Sequence, residues 1–136
     1  MTIPLWCLLV VALIPYILAG VGGYYRAKQF GSVDNNDPRV QYSHMEGPGG
    51  RVWAAQQNAW EALGLFTATI VIAHLAGADA DKMAIASIVF LVTRILHPIL
   101  YIANLATLRS IIVGIGLLSC VYMFVLAASA QSAPVQ

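Results

Sequence analysis

Four long apolar stretches dominate the chain, and the polar positions interrupting them are few enough to be read one at a time. They cover roughly residues 3–25, 52–77, 83–104 and 107–130. A helix needs about 20 residues to cross a bilayer, so the pattern predicts four membrane-spanning helices. Nothing basic precedes Ile3, so the first stretch reads as a span and not as a cleaved leader. Pro15 interrupts it, which neighbouring helices accommodate in a membrane, and Ala19, Gly20, Gly22 and Gly23 give a small-residue face for close packing. Between the first and second stretches lies a polar interval of about residues 30–50, rich in Gly, Asn, Asp and Pro, which reads as a loop. It is long enough to cover a site or to act as a tether. Ala78-Asp79-Ala80-Asp81-Lys82 joins the second stretch to the third, and almost nothing joins the third to the fourth. Connections that short make neighbouring helices antiparallel. The expected fold class is all-α: an integral membrane four-helix bundle, one domain over residues 1–136, with the residues after Ala130 as a frayed tail.

The polar positions inside the spans are not scattered. In the third, Arg94, His97, Tyr101 and Asn104 are spaced three, four and three, which puts them on one helix face. In the second, Arg51, Ala54, Asn58 and Glu61 repeat that spacing, with Gln57 alongside. Counting inward from the long loop at about 1.5 Å per residue places Glu61 and Arg94 both roughly 15 Å deep. The same count sets Asn58 level with His97, and Arg51 with Asn104. An unpaired charge at that depth costs several kcal/mol, so Glu61 and Arg94 are expected to form a buried ion pair. Asn58, His97 and Tyr101 lie shallower, where a polar ligand can reach; the plainer alternative is that they hydrogen-bond to one another between helices. Pro98 removes one backbone hydrogen bond and opens the helix beside His97. Arg109 and Ser110 start the fourth span, where a cation, a hydroxyl and free backbone N–H groups suit a thiolate or carboxylate. The alternative for Arg109 is ordinary interfacial anchoring.

Composition narrows the choice. Charged residues make up 10% of the chain, against about 25% in a typical soluble domain. A formal net charge of +1 with no basic run excludes a nucleic-acid footprint. Cys7 and Cys120 fall in apolar stretches without paired spacing and read as buried small residues. No metal site is expected, because no second His or Cys stands at ligand spacing from His97, and His44 and His74 lie elsewhere. Arg26, Lys28, Arg39 and Arg51 flank or fill the long loop and Arg109 follows the third span. By the positive-inside rule the loop is then cytoplasmic and both termini lie on the opposite side.

These residues resemble the MAPEG family, membrane-associated proteins in eicosanoid and glutathione metabolism. Arg94, His97 and Tyr101, followed by Arg109-Ser110, look most like the third helix of its microsomal prostaglandin E synthase branch. The stretch Ala55-Gln-Gln-Asn58-Ala-Trp-Glu61-Ala-Leu-Gly-Leu-Phe66 is similar to the family's second-helix Asn-x-x-Glu motif. The likeness covers nearly the whole chain and is strongest to bacterial members, which implies a bacterial inner membrane. It implies a homotrimer of four-helix bundles with glutathione held between subunits near the cytoplasmic face. It also implies a glutathione-dependent transferase or peroxidase acting on lipophilic electrophiles. Carried over, Asn58, Glu61, His97 and Tyr101 contact or orient the glutathione peptide, and Arg109 and Ser110 stabilise its thiolate. Arg26 falls near a basic position that binds glutathione in relatives. The sequence departs from the pattern at Ala54 and Gln57, positions where family members carry Arg, and at Val113, where that branch has Tyr. Arg51, one turn further out, is the available replacement, and with Gln57 it completes the expected glutathione-binding set. The departures favour the rival reading: a non-catalytic protein of the same fold serving as scaffold, regulatory subunit or binder of another thiol or anion.

Overall fold

The computed structural model describes residues 1–131, so the tail expected beyond Ala130 lies, from Ser132 on, outside the described residues. Five helices form: α1 (Ile3–Phe30), α2 (Pro38–Ser43), α3 (Gly47–Leu75), α4 (Ala80–Ile102) and α5 (Ala106–Gln131). All but α2 are long and apolar enough to cross a membrane. Pro15 lies buried within α1 without ending it, and Gly31 closes the helix at φ 78° with its N–H on the Ala27 carbonyl. That left-handed φ is one that glycine adopts freely.

The first connection is shorter and more ordered than the pattern reading, since α1 continues to Phe30 and α3 starts before residue 52. The long interval is not irregular throughout, because Pro38 starts the short helix α2. The second span begins at Gly47, so the Gly47-Pro-Gly-Gly50 run is helical. Proline is well placed in a first turn. Gly49 is buried there, and a Cβ on it would sit 3.1 Å from the Tyr25 Cβ. Its missing side chain is therefore what lets α3 start hard against α1. At the other end Asp79 caps α4 by accepting the Lys82 N–H at 2.9 Å, as helix N-caps do.

The α4–α5 connection is a C-terminal cap built on a single left-handed residue. Asn104 has φ 61°. Its N–H donates to the Tyr101 carbonyl at 3.0 Å and that of Leu105 to the Leu100 carbonyl at 2.9 Å, the paired bonds of a Schellman motif. Asn104 therefore ends the helix; it does not extend the polar stripe.

α1 packs on α3 and α4, and α5 packs on α4 and α3. Phe66 of α3 stacks on Phe90 of α4 with ring centroids 4.2 Å apart, and Cys7, Val11, Ile70, Met83, Cys120 and Met123 close the core around them. The outer faces carry Leu13, Ile17, Ile85, Ile88, Leu118 and Val125, all exposed. That is the arrangement a hydrocarbon surrounding favours, since lipid takes apolar surface that water would reject.

Candidate functional site

Arg94 is the centre of the polar residues, and three helices meet on it. Its side chain is buried. Nη1 donates to the Asn58 Oδ1 of α3 at 3.3 Å, Nε reaches the Thr93 Oγ1 at 3.4 Å, and the guanidinium lies 5.3 Å from the Phe90 ring centroid. α5 comes in through Gly116, where a Cβ would meet Arg94 Nη2 at 3.1 Å and Thr93 Oγ1 at 2.8 Å. The apolar-polar pattern of the fourth span gave Gly116 no special standing. Only the close approach of α4 reveals its role.

The expected Glu61–Arg94 ion pair is not formed. Among the described residues the only ion pair is the exposed Lys82–Asp79 contact at 3.9 Å. The depth of Glu61 is close to the one counted, since Phe66 opposite Phe90 puts it about level with Ile95. Its direction around the helix is what differs. Buried Ala55, Ala59, Phe66 and Ile70 mark the inward face of α3. At about 100° per residue Asn58 flanks that face and Glu61 lies roughly 60° further round. Glu61 is consequently exposed, at the rim of an open groove lined by Asn58, Leu65, Phe90, Arg94 and Val113.

Beyond Arg94 the α4 stripe continues as ring contacts. His97 is buried, facing Val11 and Ile14 of α1 and Ala59 of α3. Its ring meets Tyr101 edge-on, with centroids 5.5 Å apart at 75°. Tyr101 packs against the Ile14, Leu18, Ala55 and Ala59 cluster, and the Arg109 guanidinium of α5 lies over its ring at 4.1 Å. No hydrogen bond among the described residues joins Asn58, His97 and Tyr101 to one another. The alternative in which they satisfy each other is thus not the arrangement found.

The remaining predicted residues separate from this track in different ways. Arg51 Nε donates to the Ile102 carbonyl at 3.0 Å, placing a cation on the C-terminal end of α4, where the helix dipole favours it. Gln57 is exposed on the same outward side of α3 as Glu61. Ser110 returns its hydroxyl to the Ala106 carbonyl at 3.1 Å. Arg26 is buried but serves the loop. Its Nε donates to Gln41 Oε1 at 2.6 Å, its Nη2 to the Asp34 carbonyl, and its guanidinium covers the Tyr42 ring at 4.6 Å. Tyr42 in turn stacks on Trp53 of α3 at 5.8 Å, and a Cβ at Gly22 would meet its hydroxyl at 2.7 Å.

Gln41 also holds the Ser32 carbonyl at 2.9 Å and the Asp34 N–H at 3.0 Å, while Gln29 holds the His44 carbonyl and the Glu46 N–H. The Asp34 carboxylate accepts the N–H groups of Asn36 and Asp37, at 2.8 and 3.1 Å. Those bonds, that from Asp37 first, hold its pKa below the usual carboxylate range. Nothing in the one-dimensional pattern joins Arg26 to Gln41, fifteen residues away, so this clasp was invisible to sequence reasoning. No cluster of His, Cys, Asp and Glu fit to hold a metal occurs among the described residues.

The chemistry available is that of an anion site: buried or half-buried guanidinium groups beside an aromatic ring and an open groove, in a bundle fit to cross a membrane. No curated protein and no solved structure matches the chain. The family model that matches it, over residues 3–129, is that of the MAPEG family.

Proposed function

The chain belongs to the MAPEG family of multi-pass membrane proteins, many of whose members are glutathione-dependent enzymes. From that premise we propose that it is a glutathione-dependent transferase or peroxidase acting on lipophilic electrophiles drawn from the bilayer. The observation that carries the reading is the state of Arg109. Its guanidinium rests on the Tyr101 ring and makes no hydrogen bond or ion pair among the described residues. A cation so placed, at the end of a buried track through His97 to Arg94, is free to take an anion.

The residues fit glutathione, whose two carboxylates and thiol call for cations and whose ammonium calls for a carboxylate. Arg94 lines the groove, Asn58 offers an amide there and Glu61 supplies the carboxylate at the rim, while Arg51 adds a cation at the C-terminal end of α4. Glutathione supplies a thiol whose thiolate form attacks the electrophile. The chain's own contribution is Arg109, because a neighbouring guanidinium favours the thiolate. Ser110 lends a hydroxyl only by giving up its bond to Ala106. His97 and Tyr101 form the buried track behind Arg94, on the α1 side, and not the lining of the groove, and Arg26 acts at one remove by holding the loop. The α4 residues are those of the prostaglandin E synthase branch on this proposal, and the loop end faces the cytoplasm by the charge of Arg26, Lys28, Arg39 and Arg51.

A homotrimer belongs to the same proposal. Gln57, Glu61, Gly64 and Ala68 are exposed along one side of α3. A carboxylate at mid-membrane depth is costly against lipid, and small residues let helices of separate chains close up. A second copy on this side would cover Glu61 and wall the groove.

The test is conjugation of glutathione to a generic aryl halide by the purified protein. We expect Arg109→Ala to lower the rate at least about tenfold; equal background rates in both proteins remove catalysis. The second reading, a non-catalytic binder, is favoured by Ala54 and Gln57. It predicts that glutathione raises the melting temperature, as any ligand of the folded state does, without turnover.

A further inference from the structure

We propose that Tyr101 is a positioning residue: the face of its ring holds the Arg109 guanidinium over the mouth of the track, and its hydroxyl is not required for this. The proposal builds on the functional reading above, in which Arg109 is the cation nearest the chemistry.

An arginine in the first turn of a membrane helix ordinarily extends toward water and headgroups, burying its stem and wetting its head. Its neighbours Ala106, Thr107 and Leu108 are all exposed, so nothing on α5 itself prevents that. Arg109 instead folds back, half-buried, to lie 4.1 Å over Tyr101. The attraction is that of a cation for the electron-rich face of an aromatic ring, and it strengthens as water is excluded. Because the flat guanidinium lies over the ring, its N–H groups at the edge stay available to a carboxylate or thiolate.

Tyr101 is itself held from three directions. The His97 ring meets it at 75°, with centroids 5.5 Å apart. Ile14, Leu18, Ala55 and Ala59 of two other helices back it. Its own carbonyl accepts the Asn104 N–H at 3.0 Å, so the residue that supplies the ring also anchors the turn that delivers Arg109. Ring and turn together fix where the charge sits. This differs from a role in which the Tyr101 hydroxyl touches the ligand, and the two are separable by one oxygen atom.

The experiment compares wild type, Tyr101→Phe and Tyr101→Leu in detergent, with Arg109→Ala and the Tyr101→Leu/Arg109→Ala double variant. In aryl halide conjugation, Tyr101→Leu is expected to lose about tenfold in kcat relative to Tyr101→Phe, which keeps the ring, with KM for glutathione little changed between the two. A Tyr101→Phe loss as large as that of Tyr101→Leu overturns the proposal, because the hydroxyl is then the active part. Independently of any turnover, the shifts in melting temperature of the two single variants are expected to sum to more than that of the double variant. Additive shifts overturn the contact. Should wild type show no glutathione chemistry, the functional reading falls by itself and the melting cycle still decides the role of Tyr101.

Discussion

A guanidinium enclosed by apolar helices must be given acceptors, since leaving it without them costs more than the bonds themselves contribute. Arg94 is supplied sparingly, with one amide oxygen from Asn58, one hydroxyl from Thr93, and ring and glycine surfaces elsewhere. Removing the amide should therefore register. Asn58→Ala is expected to cost about 1–2 kcal/mol, the range for a charge-assisted bond between helices in a membrane, read as a drop in thermal stability in detergent. Asn58→Asp, which keeps an oxygen in place and adds a charge, should recover stability. Equal melting of wild type and Asn58→Ala would show the contact to be idle. The partner of Arg94 also marks where sequence reasoning stops. Spacing gave the α4 stripe of Arg94, His97 and Tyr101, and counting residues gave the depth of Glu61. Neither gives the angle a side chain makes around its helix against an unknown neighbour, and that angle is what selects Asn58 over Glu61.

At the scale of elements, the four long helices follow from hydropathy alone, because in lipid a segment of that length has no other way to satisfy its backbone. The α1–α3 connection is different. Its order comes from polar side chains that find each other across many residues: Arg26 with Gln41, Gln29 with Glu46, and Asp34 with the N–H groups of Asn36 and Asp37. Such partners leave no periodic trace, so a folded cap reads as a loop. The same bonds make the cap acid-sensitive. Asp34 has its folded-state pKa lowered, by the Asp37 and Asn36 N–H groups in that order. The stability this contributes is present above the ordinary carboxylate value of about 3.9 and is lost as pH falls through the lower folded value. Hydrogen-exchange protection factors at the Asn36 and Asp37 amides should hold from neutral pH to near that value and then fall. In Asp34→Ala they should be low throughout. Protection that is unchanged at strongly acid pH would remove Asp34 as the cause.

Taken as a whole molecule, the single chain leaves one side unlike the rest of its perimeter. Within their spans α1, α4 and α5 expose mainly Leu, Ile, Val and aromatics suited to lipid, but one side of α3 presents Gln57, Glu61, Gly64 and Ala68. The groove containing Arg94 and Asn58 opens beside Glu61. In the proposed trimer one association would both bury Glu61 and enclose the groove, which would couple assembly to completion of the site. Gly64 separates the two questions, because a side chain added there meets nothing within 4 Å in the chain itself. Gly64→Leu should therefore leave each bundle folded, with unchanged helicity and melting of the monomer. It should nevertheless convert a trimer into smaller species in light-scattering chromatography, and lower glutathione-dependent stabilisation in step. A Gly64→Leu protein that remains trimeric would place the contact on another helix. Loss of the trimer with ligand stabilisation intact would show that each chain carries a complete site of its own.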